Sequence, residues 1–250
     1  EFRRVLFRSR LYIIFLAGLT FTLKAGHESG NGGFVVTCPE ETTLFDYTEA
    51  QIRATLNGDK PGNYERDLET PSKIVLQVIN NLASIDAEKS QQYRRYFMRF
   101  LKSFKTLEVN FAKTRDTGEV HVIPHPGCSV EQAVIRVPPT LTDFHLRTEF
   151  SGAEFIIKRS IWLKLDTVGK AGLILHEIIY ADMKDNYSHA SSVRARIFNA
   201  LISDVNFPEI DPNEYKEIRD RLFYGTCDPE IKEDHSFDDI FDDIPLYLID

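Results

Sequence analysis

Past an initial unbroken apolar run, hydrophobic residues recur along this chain first at helical spacing, then at every second position, then at helical spacing again. Ile74, Val75, Val78, Ile79 and Leu82 lie three or four residues apart behind Thr70 and Pro71, a capping residue and a first-turn proline, which predicts a helix. Asp86 can cap a second helix, in which Tyr93, Tyr96, Phe97, Phe100, Leu101 and Phe104 form an aromatic stripe with Arg and Lys between them. That stripe reads as a core face with basic stems lying along it, in preference to a nucleic-acid or ligand surface. From Leu107 to Phe150 the period falls to two, in LEVNFAK, EVHVIP, QAVIRV and FHLRTEF, with turn chemistry at RDTGE, and EFIIKR adds one more strand. SIWLKL, GKAGLILHEIIYADMK and SSVRARIFNALI then read as successive helices. Ahead of all these, a Gly-rich stretch leads to a strand near Phe34 to Cys38, and TTLFDY reads as strand-like, leading into a short helix around Glu49 to Leu56 that NGDKPGN ends.

Helices, then strands, then helices, with no internal repeat, predict an α+β fold: an antiparallel sheet of about four to six strands packed with N-terminal and C-terminal helices. Residues 26–226 are expected to form this as a single globular domain.

The opening apolar run, LYIIFLAGLTFTL after Arg10, is shorter than the roughly 20 residues of a membrane span and matches the core of a signal peptide over 10–25, with Ala25 the best small residue for cleavage. Leu23 departs from the small residue preferred two positions earlier, so membrane attachment is expected only through an uncleaved leader. Residues 1–9, EFRRVLFRS, read as translated sequencing adaptor and are set aside. Residues 1–25 carry five bases and one acid, so the chain from Gly26 has 25 bases and 37 acids, a net charge of −12. That charge, without a basic cluster after the leader, argues against nucleic acid as a partner. An exported chain, periplasmic or secreted, meets an oxidising compartment, where Cys38 and Cys128 are expected to pair and leave Cys227 over.

Chemistry concentrates in one helix. Asp166 can cap the stretch containing AGLILHEIIYADM, whose apolar residues lie on nearly every side, implying burial of His176 and Glu177 within it. The pattern begins like HExxH, in which two His one turn apart hold zinc and Glu activates a water, but Tyr180 stands where the second His would be. Two readings follow. In one, His176, Glu177 and Tyr180 form a buried hydrogen-bonded network, with Arg194 or Arg196 neutralising Glu177. In the other, His176 and His189 are zinc ligands of a peptidase-like hydrolase with Glu177 and Tyr180 as catalytic residues, Glu177 the general base, and His121 or His125 further donors. GNGG at Gly30 to Gly33 lacks the strand and helix of a phosphate-cradling loop, so a turn or close backbone packing is expected there.

The C-terminal tail, 227–250, holds nine acids and one base. Its FDDIFDDI places Phe237, Ile240, Phe241 and Ile244 on one side of a helix and the acids on the other. The stripe can dock on the protein's own core or in the groove of an unknown protein partner, or the acids can bind calcium, although their spacing is not that of an EF-hand.

The order and distances of GNGG before Cys38, GCSVEQ at Gly127 to Gln132, HEIIY at His176 to Tyr180 and the later SSVRARIFN resemble a family of exported proteins of uncharacterised activity, common in predatory and other Gram-negative bacteria. The resemblance spans most of the chain after the leader and implies export and a shared HExxY helix. Together these features favour an exported envelope protein in a structural or interaction role over the zinc-dependent hydrolase.

Overall fold

The computed structural model describes residues 30–31, 33–109, 126–137, 152–189 and 191–224. The leader, EVHVIP with His121 and His125, FHLRTEF, Cys227 and the acidic tail lie outside them.

The fold is α+β, as expected. Two short strands, β1 (Gly30–Asn31) and β2 (Phe34–Thr37), precede β3 (Thr42–Leu44) and α1 (Phe45–Asn57). Then come α2 (Pro71–Ala83), α3 (Ala87–Ser103), β4 (Phe104–Leu107), β5 (Ser129–Gln132), β6 (Val134–Arg136) and β7 (Phe155–Lys158). The chain continues through α4 (Arg159–Lys164), α5 (Thr167–Tyr187), α6 (Val193–Ser203), a 3-10 turn at Phe207–Glu209 and α7 (Pro212–Tyr224).

The predicted caps work as their chemistry requires. Thr70 accepts from the Lys73 N–H ahead of α2, Asp86 from Lys89 ahead of α3, and Asp166 from Gly169 ahead of α5, each satisfying a donor that the first turn leaves open. Pro212 opens α7 behind Asp211, whose carboxylate accepts from the Asn213 and Glu214 N–H groups, while Tyr215, Ile218, Leu222 and Phe223 are its buried side.

The strands divide into two sheets. One has the order β1-β6-β7-β4, antiparallel except for the parallel β4–β7 pair; the other, β3-β2-β5, is antiparallel throughout. The run QAVIRV splits between them: Gln132 ends β5, Ala133 bonds back to Gly33 and Lys158, and β6 starts at Val134. Cys38 and Cys128 are disulfide-bonded, which ties the end of β2 to the start of β5 next to the Thr37–Ser129 pair.

One core serves most of these elements. Ile74, Val75, Val78, Ile79 and Leu82 of α2 meet Tyr93, Phe97 and Phe100 of α3, Phe155 and Ile157 of β7, and α5 and α6. Tyr93, Phe97 and Phe100 of the expected stripe are therefore core and Tyr96 packs partly buried against it, while Leu101 is exposed and Phe104 belongs to β4. A small second cluster, Phe34, Val36 and Phe45, packs under the disulfide.

Candidate functional site

Helix α5 runs through the centre of the molecule, with every residue from Ala171 to Met183 buried. A helix enclosed on all sides has no solvated face on which to place its polar residues. His176 and Glu177 are both 0% exposed, so each must find its partners inside the protein.

Two glycines make this possible. A Cβ on Gly172 would overlap the Tyr47 hydroxyl and lie 2.6 Å from Leu44 Cδ2, so only glycine lets α1 close on α5 there. A Cβ on Gly33 would overlap Leu173 Cδ1, so glycine also lets the chain entering β2 run against α5. Close backbone packing is thus the role of Gly33. Gly33→Ala is expected to cost about 1–3 kcal/mol by overpacking, read as a lowered urea midpoint with an unchanged slope.

These approaches bring two partners to the helix. Asp46, on the first turn of α1, accepts from His176 Nδ1 at 2.8 Å, and the Gly33 backbone N–H donates to Glu177 Oε1 at 2.6 Å. Asp46 Oδ2 also accepts from Asn199 Nδ2 at 2.7 Å, and the same amide donates to the Gly172 carbonyl, tying α1, α5 and α6 through one side chain. Ser203 donates to Asn199 Oδ1. The next turn of the same seam pairs Arg196 Nε with Glu49 Oε2 at 2.8 Å, and Arg53 with Glu49 Oε1 at 3.1 Å. Asp46, Glu49 and Arg53 on α1 thus face Arg196, Asn199 and Ser203 on α6, both sets at spacings of three and four residues that align them on a helix face.

The expected arginine partner of Glu177 is therefore corrected in part. Arg196 bonds to Glu49, and Arg194 reaches the Leu222 carbonyl, while Glu177 takes the Gly33 N–H. Tyr180 is buried one turn along α5, its ring centroid 6.3 Å from that of His176.

Burial and charge set the protonation of this site. Burial alone would lower the pKa of His176, but the Asp46 carboxylate, through its charge and its hydrogen bond, outweighs that and holds the imidazole above its ordinary value. Burial pushes the Glu177 carboxyl up, against the opposing pull of His176, the Gly33 N–H and Arg136. Asp46 Oδ1, His176 Nε2 and Glu177 Oε2 are buried polar atoms without a hydrogen-bond partner.

His189 lies elsewhere. It follows α5, its backbone N–H bonds to the Met183 carbonyl, and its Nε2–H donates to the Phe223 carbonyl at 3.1 Å. The helical rise from His176 to Met183 alone is about 10 Å. The two histidines proposed as zinc ligands thus have separate partners in separate places, and among the described residues no group of three or more His, Cys, Asp or Glu is arranged to hold a metal ion. Another buried ion pair, Lys89 with Asp182 at 2.9 Å, sits near the C-terminal end of α5, where Gln92 and Asn186 complete the bonding of the carboxylate.

Asp46 and Asn199 escape a reading of the sequence for motifs. Their only signal is a polar residue repeated at helical spacing within stretches that are otherwise core. No family model, curated protein or solved structure matches this chain.

Proposed function

We propose that this is an exported envelope protein that works by binding rather than by catalysis, and that its HExxY helix is the polar centre of its architecture. The observation that carries the reading is the way His176 and Glu177 are used: one ring nitrogen is held by Asp46, one carboxylate oxygen by the Gly33 backbone, and both side chains are sealed from solvent. A general base must reach a substrate or its water, and a residue closed in by α1, β2 and α6 has no such approach. Export is supported by the Cys38–Cys128 disulfide, since such bonds persist in oxidising compartments. No helix among the described residues is long and apolar enough to cross a membrane. Binding then falls to surfaces outside the sealed seam, the acidic C-terminal segment included.

The zinc-dependent hydrolase is the second reading, and the unpartnered His176 Nε2 and Glu177 Oε2 are what favour it. It needs a further ligand, and His189 uses Nε2 as a donor to a carbonyl.

Glu177→Gln tests the buried carboxyl on which the first reading rests. A carboxyl whose pKa is raised on folding holds its proton in the folded state to higher pH than in the unfolded chain, where it titrates near 4.5. Its contribution is therefore most favourable at low pH and is lost as pH rises through the folded value. The raised His176 acts in the same direction, with its contribution complete below about 6.5. Glu177→Gln should then fold, keep the Gly33 contact, and lose less stability than the wild type between pH 5 and pH 8. Thermal melts of both proteins at the two pH values measure this. The same loss of stability in the variant as in the wild type would count against a buried, strained carboxyl.

A further inference from the structure

The outer side of α3 has a composition that the rest of the protein complements. Arg94, Arg95 and Lys102 are exposed there, with Met98 53% and Leu101 39% exposed between them, while the half-buried Arg99 is already paired with Glu154 and Asp185. Glu88, Gln92, Arg95, Arg99 and Lys102 follow one another at spacings of three and four residues, so they form a single stripe along the helix. Three shallow depressions lie end to end along it. The first is shared by Glu88, Gln92 and Tyr224, the second by Gln92, Arg95 and Arg99, and the third by Arg95, Met98, Arg99 and Lys102.

Tyr224 is the last residue of α7, so that helix delivers the chain to one end of this groove. The residues that follow carry the opposite chemistry: nine acids against one base over 227–250, with Phe237, Ile240, Phe241 and Ile244 spaced for one apolar stripe. Phe237 lies thirteen positions after Tyr224, a reach of up to about 45 Å, whereas the α3 stripe from Gln92 to Lys102 is about 15 Å long.

We propose that the segment Phe237–Ile244 folds back along the basic outer face of α3, its acids against Arg94, Arg95 and Lys102 and its apolar stripe over Met98 and Leu101. This assignment is independent of the polar seam around His176. It makes the acidic segment an intramolecular cover for a basic surface, so any acidic partner of α3 must displace it.

Methionine oxidation tests this in the full chain without a label. Met98 and Met183 are the two methionines, and Met183 is buried in α5, where it reports that the protein stays folded. Under dilute hydrogen peroxide at low salt, Met98 in the wild type should oxidise about tenfold more slowly than in the combined variant Asp238→Asn, Asp239→Asn, Asp242→Asn, Asp243→Asn. High salt should remove most of the protection in the wild type itself, which needs no variant. Equal Met98 rates in wild type and variant at low salt would overturn the proposal. Protection that grows with protein concentration would also overturn it, since the cover would then come from a second copy.

Discussion

Asp46→Ala is expected to lower the unfolding free energy by about 3–5 kcal/mol, the range for removing one partner of a buried charged pair. The carboxylate holds His176 at 2.8 Å and Asn199 at 2.7 Å, in surroundings where Asp46 itself is 1% exposed. Its loss leaves an imidazole N–H and an amide N–H to face a core with no replacement acceptor, and each unsatisfied donor costs about 1–3 kcal/mol. Asp46→Asn keeps an oxygen in place and removes only the charge, so its cost should be smaller, and it should also lower the pKa of His176, which Asp46 holds up. Urea denaturation of both variants, with the imidazole followed by NMR titration, measures the two effects together. A cost for Asp46→Ala below about 1 kcal/mol would mean that the seam between α1, α5 and α6 contributes little.

Breaking the Cys38–Cys128 bond is expected to cost about as much, by a different route. The cross-link closes a loop with a sequence separation of 90, for which the chain-entropy relation gives about 4–5 kcal/mol of destabilisation of the unfolded chain. The native side of the balance also suffers. The sheet β3-β2-β5 rests on the small cluster of Phe34, Val36 and Phe45, with Cys38, Cys128 and Val130 packed against it. Gly33, immediately before β2, supplies the N–H that holds Glu177. Loosening β2 therefore reaches the centre of α5. The pair of substitutions Cys38→Ser and Cys128→Ser should lower the denaturation midpoint to the level of the reduced wild type, and amide exchange should rise first at Phe34 to Thr37. A change under about 1 kcal/mol would show that the strand pairing holds the sheet without the bond.

How far the fold was legible depended on whether the decisive contacts were local. Thr70, Asp86 and Asp166 act within three residues of themselves, and α2, α3 and α5 start where those caps and their apolar runs place them. Burial of α5 was legible too, because apolar residues on every side leave no exposed face. The start of α1 was not. TTLFDY is rich in residues that favour strands, and Leu44 offers no side-chain cap, yet the helix begins at Phe45 because Leu44, Phe45 and Tyr47 are buried where α1, β2 and α5 meet. Reading that segment as strand-like hid Asp46, which has a helical position facing His176 only in the folded chain. The split of the strands into two sheets, with one parallel pair, depends on contacts between β4 and β7 some fifty residues apart, for which periodicity holds no information. Helix α7 was missed because its charged residues outnumber its buried ones, although Asp211 and Pro212 mark its start.

At the candidate site, the helix and two of its polar residues stood out in the sequence. His176 and Glu177 are recognisable because charge is costly in an apolar run. Their partners lie far away along the chain: His176 meets a residue 130 positions before it, and Glu177 one 144 positions before it. The choice between a network and a metal site turns on those partners.

The most direct test is the zinc content of the protein purified without chelator, set beside its melting temperature before and after chelator treatment. A polar network predicts only trace zinc and a melting temperature that chelator does not move. Close to one equivalent of zinc per chain, absent from a His176→Ala variant that still folds, would contradict it and make the HExxY helix a metal centre.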